Sequence, residues 1–155
     1  MTLEQDIEFL KMMTFNSIED LNNNTILQKY FDIKDNGQGV MEHIFKGFQI
    51  ENGCFNGYHS ECLYPNLYNH IINTSLKIDK TKVYEMYLYD VSKKSSFFPI
   101  TMSCEEIIIA ILEEYKQKIK NKSEKNIIKN HLKIEIFLTN EGKIYNAYPI
   151  YNARV

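Results

Sequence analysis

The stretch SCEEIIIAILEEYKQKIK, residues 103–120, carries the strongest helix signal in the chain. Ser103 is a residue type favoured at a helix N-cap, and Glu105 and Glu106 place negative charge in the first turn. The apolar run from Ile107 to Leu112 supplies a face to bury, and lysines close the stretch. The sequence therefore predicts a long helix that begins after Ser103.

Two β-rich runs follow this helix, at residues 132–139 and 143–151. They are separated by Asn140-Glu141-Gly142, and a short turn containing glycine between two such runs is typical of a β-hairpin. Earlier in the chain, the run from Lys82 to Val91 alternates and carries aromatic residues on both faces, which indicates another strand. These runs predict a β-rich half.

Helical patterns dominate the first part of the chain. Apolar residues recur at helical spacing over Leu3 to Met13, and Ser17 followed by two acids marks the start of a second helix. A turn-rich break covers Asp35 to Gly39. The whole chain is therefore predicted to form one α+β domain, in which a helical N-terminal part, residues 1–38, packs on a catalytic β-rich part, residues 39–155.

Composition and charge limit the classes of protein that fit. The chain has 155 residues, 44% of them hydrophobic, which is enough for one core. Residues 1–42 hold 8 acids against 3 lysines (−5), whereas residues 43–155 hold 12 acids against 15 bases (+3). Arg154 is the sole arginine, so contacts with nucleic acid would use lysines, amides and backbone. No long apolar run or signal-peptide pattern occurs, and a soluble protein without a membrane partner is expected.

The cysteines and glycines match no cofactor or metal motif. Cys54, Cys62 and Cys104 make an odd number without a CxxC pair, which argues against a disulfide framework and a structural zinc site and favours a reducing compartment. The chain contains neither a phosphate-binding P-loop nor a GxGxxG fingerprint. The sequence therefore predicts no cofactor and no metal.

The segment HIFKGFQIENGCFNGYHSE, residues 43–61, holds the residues that suggest chemistry. Two imidazoles that face one phosphodiester can act as base and acid near neutral pH, and RNA supplies its own nucleophile in the 2′-hydroxyl. Gly57, two residues before His59, allows close approach of backbone amides to phosphate. Two purely structural histidines remain an alternative for His43 and His59. A zinc site would lack further ligands, and Cys54 lacks a thiol-protease signature.

The motifs HIFKG and GYHS resemble the paired histidine motifs of the EndoU-like endoribonucleases, a family that includes bacterial toxin domains. The chain is also similar to bacterial members at Phe97-Phe98-Pro99, before a helix, and at the C-terminal strand Asn146-Ala147-Tyr148-Pro149-Ile150, so the resemblance spans about residues 41–151. It implies an EndoU or barnase-like fold. It further implies that His43 and His59 are the acid/base pair, that Tyr148 stacks on or orients the substrate nucleotide, and that Gly57 brings backbone near the phosphate.

The chain departs from the family pattern at two positions. Animal and viral relatives carry a lysine just before the helix, and some bacterial toxin members lack it. In this chain no lysine occurs between Lys94 and Lys116, and the corresponding position falls near Ile100. Backbone amides, Lys46, Lys94 or hydroxyl groups such as that of Ser103 would then contact the substrate and meet the transition-state charge. Asn146 stands where the family commonly has threonine or serine, and its amide can still donate a hydrogen bond.

The resemblance implies metal-independent cleavage of RNA, with tRNA expected and DNA not, to products with 2′,3′-cyclic phosphate ends. It also implies delivery within a larger secreted toxin, action in the cytoplasm of a target cell, and a cognate immunity protein as partner. An alternative is a catalytically inactive EndoU-like module that binds RNA or protein, because the lysine is missing and Asn146 is unusual.

Several other residues have plainer interpretations. The lysine-rich segment from Asn121 to Asn130 is predicted to be an exposed loop, although it could also touch RNA. Surface or capping positions are expected for His70 and His131. The tyrosines of the Lys82 to Val91 run fit a half-buried sheet better than a platform on which bases stack.

Overall fold

The computed structural model describes residues 1–49, 55–65, 67, 77–88, 93–120 and 132–151. Within these ranges the chain forms five helices and seven short strands: α1 Leu3–Leu10, α2 Ile18–Asn22, α3 Leu27–Tyr30, α4 Val40–Phe45, β1 Phe48–Gln49, β2 Phe55–Asn56, β3 Lys77–Ile78, β4 Tyr84–Leu88, β5 Lys93–Phe97, α5 Cys104–Lys120, β6 Ile134–Leu138 and β7 Ile144–Pro149. The predicted α+β class is confirmed. No helix in these ranges combines the length and the apolar character needed to cross a bilayer.

Side-chain caps mark the start of the first two helices, and the cap at Ser17 was predicted. The amide of Gln5 donates to Thr2 Oγ1 at 3.1 Å, and the amide of Thr2 donates back to the Gln5 side chain at 2.9 Å. Ser17 caps α2 by accepting from the amide of Asp20 at 3.0 Å. Helix α1 ends at Leu10, three residues short of the predicted end, because the chain tightens there into turns with three-residue spacing.

The strands form three antiparallel groups in the described part of the chain: β1 with β2, β3 with β4 and β5, and β6 with β7. The predicted C-terminal hairpin is confirmed, and Gly142 adopts a φ of 84° in its turn. The predicted strand at Lys82 to Val91 is found as β4, Tyr84–Leu88, with Lys82 in the preceding turn, while residues 89–91 lie outside the described ranges. Strand β5 and helix α4 were not predicted.

A β-bulge in β7 sets which side chains face the core. The pairing shifts so that Leu138 lies opposite Ile144 and Phe137 lies opposite Asn146, which leaves Tyr145 as an extra residue. Ile144 is buried before the bulge, and Ala147 is buried after it. Because side chains alternate along a strand, the bulge turns Asn146 and Tyr148 toward the opposite face while the core face stays apolar.

The main hydrophobic core joins the N-terminal helices to α4, α5 and one face of the β6–β7 hairpin, as the predicted packing of helices on a β-rich half requires. A parallel bridge between Phe31 and Ile144 ties the end of α3 to β7. A second, smaller core contains Tyr58, Tyr84, Met86 and Phe97. Burial, together with a hydrogen bond to the carboxylate of Glu61 at 2.7 Å, raises the pKa of Tyr84 well above its usual range.

One buried carboxylate stabilises the N-terminal helices. Asp6 is fully buried in α1, where Lys29 Nζ lies 2.6 Å from its Oδ2 and the hydroxyl of Tyr30 donates to the same oxygen. Burial by itself would raise the pKa of Asp6, but the hydrogen bonds from Lys29 and Tyr30 and the lysine charge hold it below its ordinary value of 3.8.

We expect the Asp6→Asn variant to unfold more easily at neutral pH, by roughly 1–3 kcal/mol, because the charged hydrogen bonds are lost. The folded-state pKa is lowered, so this contribution is present above the unfolded-state pKa and is lost as the pH falls through the folded-state value. Urea unfolding of both proteins at neutral pH and at about pH 3 should therefore show that the difference between their free energies of unfolding is smaller in acid. Glu8→Gln, which breaks an exposed ion pair with Lys11, is the control with little effect. An equal difference in the free energy of unfolding at both pH values would contradict this account.

Candidate active site

Helix α4 carries His43. The helix begins at Gly39, whose amide donates to Glu42 Oε1 at 3.0 Å, while Glu42 Oε2 accepts from the side chain of Asn22 on α2 at 3.0 Å. Val40 and Ile44 are buried, so the apolar face of α4 is fixed in the core, and His43 is half-buried in its last turn. The glutamate three residues after a glycine, followed by apolar residues at helical spacing, was the signal that could have predicted this helix.

The loop that carries His59 is bonded directly to the end of α4. The amide of Tyr58 donates to the carbonyl of His43 at 2.6 Å, and the amide of His59 donates to the carbonyl of Ile44 at 2.7 Å. Gly57 has a φ of 87°, and a Cβ at this position would lie 2.2 Å from the carbonyl oxygen of His43. Only glycine fits here, and the two histidine motifs are therefore held in one unit. The phosphate contact of Gly57 stays a prediction.

The ring of His59 is fixed by strand β5. Its Nδ1 lies 2.8 Å from the carbonyl oxygen of Ser96 and 3.2 Å from Ser95 Oγ. A carbonyl oxygen only accepts, so we assign the proton of the neutral ring to Nδ1, and Nε2 is then the basic nitrogen. Ser95 Oγ donates to the carbonyl of Tyr58 at 2.8 Å, and Ser96 Oγ donates to the carbonyl of Pro149 at 2.6 Å, which links β5 to β7.

The predicted pair of histidines and Tyr148 form a row of rings. The ring centroids of His43 and His59 are 5.3 Å apart, and those of His59 and Tyr148 are also 5.3 Å apart. A cavity of about 250 Å³ opens beside them. Five residues of its lining were predicted from the sequence: His43, His59, Lys94, Asn146 and Tyr148. Three more were not predicted: Asn56, Ser95 and Ser96.

Asn146 is half-buried beside this cavity, and its Oδ1 is buried without a hydrogen-bond partner in the described part of the chain. A buried amide that lacks a partner costs free energy, and such groups are often completed by a ligand. Oxygen and nitrogen of an amide are exchanged by a flip of the side chain, so Asn146 can offer either an acceptor or a donor to a bound molecule.

Lys94 is the lysine that lines the cavity. Its Nζ lies 3.8 Å from Glu85 Oε1 and 5.9 Å from the centre of the Tyr87 ring, and its side chain is 47% exposed. Ile100, where the family lysine would fall, is 66% exposed and does not line the cavity. The contact of Lys94 with substrate stays a prediction.

Two predicted substrate contacts lie elsewhere among the described residues. Ser103 caps α5, where Oγ accepts from the amide of Glu106 at 3.1 Å and the amide of Ser103 donates to the Glu106 side chain at 2.8 Å. Lys46 Nζ lies 5.8 Å from the centre of the Tyr64 ring. Neither residue lines the cavity, and their contact with substrate stays a prediction.

The remaining titratable candidates do not add to this cavity. Cys62 and Cys104 are free thiols, and neither lines it. Across the described ranges, no three His, Cys, Asp or Glu side chains lie close enough together to hold a metal ion. Cys54, His70, His131 and the segment from Asn121 to Asn130 lie outside those ranges.

Comparison with known protein families shows to which family the chain belongs. Residues 37–151 match the family model of the bacterial EndoU nucleases, and this range holds both histidine motifs and β7. The chain belongs to the bacterial EndoU nuclease family. The resemblance noted in the sequence is thus confirmed. The matched range of this EndoU nuclease begins after α3, so the first three helices lie outside it. No curated protein and no solved structure matches the chain.

Proposed function

We propose that this EndoU nuclease cleaves RNA by attack of a 2′-hydroxyl on the adjacent phosphate, which leaves a 2′,3′-cyclic phosphate. The observation that carries the proposal is the pair of imidazoles, His43 and His59, whose ring centroids lie 5.3 Å apart beside one cavity. Two imidazoles at this separation can address the two oxygens on either side of a single phosphorus atom. One removes a proton and the other supplies one.

The surroundings of the two rings support different roles for them. His59 keeps its Nδ1 proton on the carbonyl of Ser96, so its Nε2 is suited to accept the proton of the 2′-hydroxyl. His43, in the last turn of α4, is the other imidazole of the pair and is suited to protonate the departing 5′-oxygen. The bond from the 2′-oxygen to phosphorus forms, the bond from phosphorus to the 5′-oxygen breaks, and one proton is taken and one returned.

The lining of the cavity supports stabilisation of the phosphorane without the family lysine. Negative charge grows on the phosphate oxygens in the transition state, and donors that are already in place stabilise it best. Asn146 and Lys94 both line the cavity that the histidines face. Tyr148, next to His59, is suited to orient the nucleotide whose 2′-hydroxyl attacks. The chemistry then moves two protons and requires no metal.

The biological setting rests on the family resemblance. We propose that the domain acts as a toxin, delivered as part of a larger secreted protein into the cytoplasm of a target cell. We propose tRNA as its substrate and a cognate immunity protein as its partner. DNA lacks the attacking hydroxyl and is not expected to be cleaved.

Incubation of the purified protein with total RNA in excess EDTA tests the proposal. We expect the RNA to be cleaved, single-stranded DNA to stay intact, and the double variant His43→Ala/His59→Ala to lose cleavage. Loss of activity in EDTA with recovery on added zinc or magnesium would refute the mechanism. An RNA that is bound but never cleaved would instead favour the inactive binding module.

A further inference from the structure

A second cavity, of about 340 Å³, opens next to the first. The two cavities share His43, Asn56 and Asn146 in their linings, so they are neighbours on either side of these residues. The second cavity is lined by His43 but not by His59 or Tyr148, so it adjoins the His43 end of the site. Its lining includes two aromatic rings, those of Phe48 and Tyr145.

Tyr145 is presented to this cavity by the bulge in β7. It is the extra residue of the strand, and 47% of it is exposed. Its ring centroid lies 6.1 Å from that of Phe137, which in turn lies 5.9 Å from that of Tyr148. Phe137 therefore supports one aromatic ring in each cavity. An exposed ring held in place from behind is the arrangement on which a nucleic acid base stacks.

We propose that the second cavity binds the nucleotide on the 3′ side of the cleaved phosphate, with its base stacked on Tyr145. This assignment rests on the proposed function. If His59 activates the 2′-hydroxyl and His43 protonates the leaving 5′-oxygen, the leaving nucleotide lies on the His43 side, and the second cavity is on that side.

The charges in the second cavity fit a nucleotide. Lys34 Nζ lies 3.9 Å from Asp32 Oδ2 at its edge, and its side chain is 53% exposed. A lysine in this position can meet the next phosphate of the strand, a contact that is indifferent to the base. Stacking on Tyr145 needs a base that is not stacked in a helix, so the ligand is single-stranded RNA or a loop.

Binding of short RNA analogues that cannot react tests the proposal without relying on cleavage. The analogues carry 2′-deoxyribose at the attacking nucleotide, and the following nucleotide either has its base or is abasic. We expect the wild-type protein to bind the analogue with the base roughly 5- to 150-fold more tightly, as is found for stacking on an aromatic side chain. Tyr145→Ala should remove this preference, and Tyr145→Phe, which keeps the ring, should retain most of it.

Two further variants separate stacking from other effects. Lys34→Gln should lower the affinity for both analogues by the same factor, because it removes only a contact with phosphate. Phe9→Ala, an equally exposed aromatic residue on α1, should change neither. Equal affinity of the wild-type protein for both analogues, no binding of either, or a preference that survives Tyr145→Ala would overturn the proposal. If the protein prefers the analogue with the base but cleaves no RNA, the proposed function is refuted and the stacking site on Tyr145 is still supported.

Discussion

Replacement of His59 by alanine should lower the rate of RNA cleavage by roughly two to four powers of ten, as expected when a general base is removed. In the proposed mechanism the ring accepts the proton on Nε2, because the carbonyl of Ser96 accepts a hydrogen bond from the other nitrogen. His43→Ala should cause a loss of similar size on RNA, because the leaving 5′-oxygen is then not protonated. Steady-state cleavage of a short RNA, with circular dichroism to confirm folding, measures both effects.

A substrate with a better leaving group separates the two roles. In a nucleoside 3′-(4-nitrophenyl phosphate), the departing phenolate needs no proton, so His43→Ala should recover most of the wild-type rate. His59→Ala should stay impaired on the same substrate, because the 2′-hydroxyl must still be deprotonated. Recovery in the His59 variant instead would reverse the assigned roles. Near wild-type cleavage of RNA by either variant would remove that histidine from the mechanism.

Asn146→Ala should lower RNA cleavage by about a hundred- to a thousandfold, the range found when one preorganised donor to a developing charge is lost. Asn146 lines both cavities, and its Oδ1 has no partner within the described ranges. Asn146→Thr, which restores the common family residue, should keep most of the activity. The measurement is kcat on a short RNA, because a contact made only in the transition state lowers kcat without raising KM.

Lys94→Ala tests the alternative source of charge in the same assay. Lys94 Nζ forms an ion pair with Glu85. Glu85→Gln is therefore a matched variant that removes the ion pair and keeps the lysine. If Lys94→Ala abolishes cleavage while Asn146→Ala leaves it intact, Lys94 has taken the role of the family lysine. Asn146 would then have no part in stabilising the transition state.

Local signals made helix α5 and the β6–β7 hairpin predictable. Helix α5 has an N-cap serine with a reciprocal glutamate, and the β6–β7 hairpin has a short turn with a glycine at positive φ. Helix α4 was missed because it spans only Val40–Phe45 and begins at a glycine, so its cap has no side-chain oxygen of its own. The signal there was the glutamate at its third position, which is weaker than a serine cap.

The candidate site was less accessible to sequence reasoning, because its contacts join distant parts of the chain. The family motifs pointed to His43, His59 and Tyr148, and the structure places the three rings in one row. The hydrogen bond from His59 to Ser96 crosses 37 residues, and neither serine of β5 stands in a recognisable motif. The bulge at Tyr145 was not predicted either, because a one-residue shift in strand pairing depends on packing on both faces of the strand.

The ends of the RNA products test the central claim most directly. A short RNA cleaved in EDTA should yield a 2′,3′-cyclic phosphate on one fragment and a 5′-hydroxyl on the other, both visible by mass spectrometry. A single 2′-deoxyribose at the cleaved position should stop cleavage there, because the attacking oxygen is missing. Products with a 5′-phosphate and a 3′-hydroxyl, or cleavage that continues at the 2′-deoxy position, would contradict attack by the 2′-hydroxyl and the pairing of His43 with His59 that it requires.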